Sequence, residues 1–187
     1  ADFADATEGY VGVAVDKGAE LIFKDSGNGG LTVVGDYAYY AFRNSGKMTI
    51  ESGTVTFTGF AGGATFFSTN SNLLVKGGNF TLGNVGTGEN GKPWIFNTYG
   101  AGDHHILITG GTFNADVNRQ FWANEVYVPE QYALKNNGDG TWTVVDAVAY
   151  VLEMGTSTGS QNRKIGYATI EEAFAAAVAR SKTVTLL

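Results

Sequence analysis

The sequence predicts an all-β chain: a parallel solenoid of about four coils, followed by an appended β-hairpin and one C-terminal capping α-helix. Three observations predict it. The stretches MTIESGTVTF from Met48, LLVKGGNFTL from Leu73 and ILITGGTFNA from Ile106 read alike, each a short apolar strand, a glycine turn and a second strand. Phe23, Ile50, Val75 and Ile108 mark equivalent positions at spacings of 27, 25 and 33 residues. Finally, 27 glycines in 187 residues are about twice the usual ~7% share, which suits a chain of many tight turns.

A repeat in the twenties to thirties, made of strands and turns with no helix between them, is the mark of a solenoid. A coil of about 25 residues holds three strands of four or five residues and three turns, and stacking coils at ~4.8 Å pairs each strand with its equivalents above and below. An apolar residue stands eight positions ahead of the strand centre at Val15, Phe42 and Phe67, and twelve ahead at Phe96. Phe42, Phe67 and Phe96 are therefore expected to form an inward aromatic ladder, and Ile50, Val75 and Ile108 an aliphatic one. Gly53, Gly78 and Gly111 would mark a common corner. The long third spacing reads as two insertions, near residues 83–92 and 99–104. A sandwich of hairpins also uses alternation and glycine, but has no reason to keep a common phase.

Coils are expected over residues 1–120, and a hairpin plus helix and strand cap over 121–187. Asn137-Gly138-Asp139-Gly140, between YALK and TWTVV, is a hairpin turn. AVAYVLEMG reads as a strand and TSTGSQNRKIG as a polar loop. Thr169-Ile170-Glu171-Glu172 is a capping box, opening a helix to about Arg180 with Ile170, Phe174, Ala177 and Val178 on one face. TVTLL closes the sequence as a strand.

The formal charge of −6, with twelve scattered basic residues, argues against nucleic acid as a partner. The apolar runs fall short of the ~20 residues of a membrane span. With no cysteine there is neither a disulfide framework nor thiolate chemistry. A start at Ala1 fits a processed, secreted chain or an excised piece.

The ITGGTF element, VPEQYALKNNGDGTWTVV and YATIEEAFAAAVARSKTVTLL together resemble the modular right-handed parallel β-helix (pectate-lyase-like) surface and adhesin-type proteins of bacteria, over roughly Met48 to Leu187. The resemblance implies a right-handed β-helix, an extracellular or cell-surface location, and a helix and strand that begin a module. Here that segment comes last. Two expectations follow: a piece cut at a module boundary, or a helix and strand that cap a neighbouring copy, head to tail. In the second, Ile170, Phe174 and Val178 form an apolar plug, and Thr183, Val184, Thr185, Leu186 and Leu187 a donated strand. The partners are copies of the chain or adjacent modules.

Many β-helix proteins cleave polysaccharides, which takes carboxylates a few ångströms apart. Asp16, Asp25, Asp36, Asp103 and Asp116 fall at turns with no shared phase, and Glu51 has Lys76 and Thr109 at its equivalent positions. No catalytic or metal-binding set is assigned, no cofactor is expected, and the chain reads as a non-enzyme. His104 and His105 are the two histidines; neighbours on a strand point to opposite faces, so a solvated turn outweighs a shared metal. GTGENG has dinucleotide-loop lettering but opens no helix, and NNGDGTW lacks the far acid of a calcium loop. The alternative function is glycan binding or cleavage, with Trp94, Tyr99, His104, His105 and Trp122 as contacts.

Overall fold

The computed structural model describes residues 10–25, 27, 29–35, 38–59, 63–68, 71–83, 94–98, 105–118, 128–153 and 163–187. Its first twelve strands come as four triplets. These are β1 (Tyr10–Val15), β2 (Glu20–Phe23) and β3 (Gly30–Val34), then β4 (Ala38–Asn44), β5 (Lys47–Ile50) and β6 (Thr54–Thr58). They are followed by β7 (Ala64–Ser68), β8 (Asn72–Val75) and β9 (Asn79–Leu82), then β10 (Trp94–Thr98), β11 (His105–Ile108) and β12 (Thr112–Phe113). The chain visits three sheets in rotation, so that β1-β4-β7-β10, β2-β5-β8-β11 and β3-β6-β9-β12 are each parallel runs. None of the sheets closes on itself.

Side chains fix the register of these ladders. Ile50 lies opposite Phe23 and Val75, and Val75 opposite Ile108, giving the fully buried aliphatic row that the spacing predicts. Phe42, Phe66 and Phe96 stack with centroids 5.1 Å apart and rings within 12° of parallel. Phe80 and Phe113 make a second stack at 4.9 Å. The expected ladder is therefore corrected at one position: Phe66 joins it, while Phe67 falls opposite Arg43 and Asn97. Likewise Val13, not Val15, faces Phe42. The cause is turn length. From aromatic row to aliphatic row the chain uses ten residues after Val13, eight after Phe42, nine after Phe66 and twelve after Phe96. With a side-chain period of two, a one-residue change in a turn moves the inward position to its neighbour.

Gly53, Gly78 and Gly111 have φ of +114°, +111° and +108°, a region L side chains rarely adopt. They stack at one corner, where Asn79 and Thr112 donate their N–H groups to the Gly53 and Gly78 carbonyls at 2.8 Å. A Cβ on Gly78 would lie 2.9 Å from the Gly53 carbonyl oxygen, so the corner also excludes a side chain on space. Two asparagines complete the ladders. Buried Asn44 accepts from Gly46 N–H at 3.1 Å and donates through Nδ2 to the Asn72 carbonyl at 2.9 Å. Asn114 exchanges two 2.9 Å side-chain bonds with the Leu82 backbone where β12 stops.

Past β12, among the described residues, only the third sheet continues, through β13 (Tyr132–Asn136), β14 (Trp142–Asp146), β15 (Ala149–Glu153), β16 (Arg163–Tyr167) and β17 (Val184–Leu186), with α1 (Ile170–Arg180) between the last two. Its full order is β17-β15-β16-β13-β14-β12-β9-β6-β3. The β13–β14 hairpin forms at the NGDG turn, with Gly138 at φ +80° and Gly140 at +85°. One element was not expected: Arg163–Tyr167, read above as loop, is a strand, because β15 offers it five antiparallel pairs and β13 takes its other edge. One hydrophobic cluster fills the space between the three sheets and takes in Val128 and Val144, so it runs across residue 120. A second, of Ala149, Val151, Ala173 and Ala177, lies under α1.

Candidate assembly surface

The capping box places α1. Thr169 is extended (φ −132°, ψ 155°), and its Oγ1 accepts from Glu172 N–H at 3.1 Å, satisfying one of the free amides of the first turn. Glu171 and Glu172 complement the positive end of the helix dipole and Arg180 the negative end. Ser181 adopts the left-handed conformation (φ 52°), and Lys182 N–H donates to the Ala177 carbonyl at 2.9 Å, which ends the helix.

α1 buries Ala177, which the sequence groups with the apolar stripe, and leaves the other three residues of that stripe uncovered. Ala173 and Ala177 pack on Ala149 and Val151, with Ala176, Tyr167 and Val184 beside them. Ile170, Phe174 and Val178, four residues apart and hence in one stripe, are exposed, Phe174 at 55% and Val178 at 79%. Alanines let the helix axis approach the sheet closely, and the three large side chains then rotate away from it.

β17 takes up antiparallel pairing with β15, with Val151 opposite Val184, Tyr150 opposite Thr185 and Ala149 opposite Leu186; Leu187 N–H adds a bond to the Val148 carbonyl at 3.0 Å. The strand expected to be donated is thus held along one edge by its own chain. Its other edge is the sheet boundary among the described residues, and Leu186 is 65% exposed. At the far end of the molecule the first triplet bounds all three sheets among the described residues. There the interior is only partly covered, at Val13, Leu21, Phe23, Leu31 and Val33.

On the opposite face of the C-terminal strands from α1 lies a groove of about 310 Å³, lined by Tyr150, Leu152, Lys164, Ser181, Lys182, Thr183 and Thr185. Lys164 Nζ stands 5.0 Å over the Tyr150 ring and 3.1 Å from Glu130 Oε1. Bonding to Glu130 raises the Lys164 pKa, while the Glu130 carboxyl is lowered first by its own backbone hydrogen bond and then by Lys164. Sequence reading did not find this groove; its signal was the alternation of Tyr150 and Leu152 with buried Ala149 and Val151.

Trp94 and His105 open β10 and β11, which belong to different sheets, and Tyr99, His104 and Trp122 lie outside the described residues. The acids serve local structure. Asp25 and Asp116 each accept from the amide two residues on, and Glu51 sits 3.5 Å from Lys24 and 3.9 Å from Lys76 on the outer surface. In the NGDG turn Asp139 Oδ1 accepts from the Thr141 hydroxyl at 2.6 Å and its amide at 3.0 Å, which lowers the Asp139 pKa. Among the described residues no three His, Asp or Glu side chains gather as a metal site, and no helix is long and apolar enough to cross a membrane. Comparison of the chain with protein-family models, with curated proteins and with solved structures found no match.

Proposed function

We propose that the four strand triplets wind as a right-handed parallel β-helix, and that the protein is a non-enzymatic, extracellular structural or adhesive subunit that stacks head to tail. The stack is a self-assembling fibre or the run of modules in a long surface stalk. One observation carries the reading: the large apolar residues Ile170, Phe174 and Val178 stand on the outside of α1 while alanines fill its inside. The half-covered interior of the first triplet supplies an apolar surface for them to meet. Extracellular placement follows from the likeness to bacterial surface β-helices.

Light scattering on the purified chain tests it. Long species are expected to grow with concentration, and Phe174→Asp or deletion of residues 183–187 is expected to leave a monomer; a parent chain that stays monomeric at every concentration overturns the reading. A second reading, glycan binding, draws on the groove at Tyr150, Lys164 and Lys182, where an aromatic ring, hydroxyls and two cations line one cleft. Saturable binding of polygalacturonate by a monomer, lost in Lys182→Ala, is its expected result.

A further inference from the structure

We propose that β17 of one molecule pairs in parallel with β3 of the next, so that the third sheet runs unbroken from copy to copy. This rests on the head-to-tail reading above and names its joint. Among the described residues β3 and β17 are the two edges of a single nine-stranded sheet, one at each end of it.

Their directions match. β3, β6, β9 and β12 are parallel; β14 reverses the direction, β13 restores it, β16 keeps it, β15 reverses it and β17 restores it again. β17 therefore runs the same way as β3, and an incoming β3 meets it in the parallel sense that β3 and β6 already use.

Their faces match as well. Phe113 pairs with Trp142, Val144 shares that face and pairs with Leu134, and the register carries the face on through Tyr167 and Ala149 to Leu186. Val184 and Leu186 are thus on the side of the sheet that holds Leu31, Val33 and the phenylalanine interior. Alternation then sets Val184 and Leu186 beside Leu31 and Val33, and Thr185 beside Thr32. The same approach brings Val13, Leu21 and Phe23 of the incoming first triplet to the side of the sheet that carries α1, where Ile170, Phe174 and Val178 are uncovered.

Neither GLTVV nor VTL carries a charge or a proline, the devices that keep an edge strand from pairing. Both edges belong to one chain and are unlike each other, so the occupant is a second copy and the contact repeats without closing.

Because the chain has no cysteine, Thr32→Cys with Thr185→Cys in the full chain reports on this joint directly. Both positions are exposed, and eight strand spacings of ~4.8 Å put them about 38 Å apart within one molecule, far beyond disulfide reach. Oxidation is expected to give a ladder of dimers, trimers and longer chains on a non-reducing gel, with each single-cysteine variant stopping at dimer. A second readout needs no variant: nine strands per copy set an axial repeat of about 43 Å in images of the fibre. Growth by light scattering with no ladder above dimer, or with a different repeat, overturns the joint and leaves the stacking reading standing. No growth at any concentration overturns both.

Discussion

The three-sheet body and the C-terminal strand-and-helix piece are built by opposite rules. In the body, large residues go inside: Phe42, Phe57, Phe66, Phe80, Phe96 and Phe113 are all fully buried, and glycines take the corner. In the C-terminal piece three alanines and Val151 hold the interior, while Ile170, Phe174, Val178, Leu186 and Leu187 are exposed. The body exposes Ile22, Val34 and Leu107 as well, each on a separate strand, whereas Ile170, Phe174 and Val178 share one helix face, and that grouping separates residues that stabilise the fold from residues available to a partner.

Three variants test that division, starting with the largest expected effect. Phe66→Ala removes the middle ring of the stack and is expected to cost ~3–5 kcal/mol in denaturant unfolding, because its neighbours on both sides cannot close the gap. A loss under about 1 kcal/mol would mean that the body is not held by its aromatic interior. Gly78→Ala puts a side chain at φ +111° against the Gly53 carbonyl and is expected to cost ~1–3 kcal/mol by the same measurement. Phe174→Ser combined with Val178→Ser is expected to change the unfolding free energy of the dilute monomer by no more than ~0.5 kcal/mol, since neither side chain is packed. A clear destabilisation there would put the stripe in a core and erase the contrast.

How far the sequence could be read depended on whether local signals set the structure. The glycine corner and the aliphatic row were legible because a positive φ admits little but glycine and because 27, 25 and 33 residues separate successive inward positions. Helix boundaries were legible from Thr169 and Arg180, since capping is a local matter. The aromatic row was misplaced by one residue at Phe67, because turn lengths vary and nothing in the local pattern reports them. β16 was missed because RKIGY has little strand character of its own and takes its form from β15 and β13. On the helix, Ile170, Phe174 and Val178 share one exposed stripe, while Ala177, which the sequence groups with them, turns to the sheet beside Ala173; it sits at the boundary of the two faces, where spacing alone does not assign it. Tyr150, Lys164 and Lys182 converge only through strand pairing, so the alternation of Tyr150 and Leu152 marks one wall of the groove and nothing along the chain marks the other.

Among the described residues two of the three sheets end at β10 and β11, and a single ladder carries on toward the C-terminus, crossing from β12 to β14 through two residue pairs, Thr112 with Thr143 and Phe113 with Trp142. A pull applied to the two tips is shared among three seams across the four triplets and falls on one seam from that crossing onward, down to the single pair of Ala133 with Gly166 between β13 and β16. The tensile weak point therefore lies in the C-terminal ladder, beyond the place where its companion sheets run out, and not in the three-sheet body.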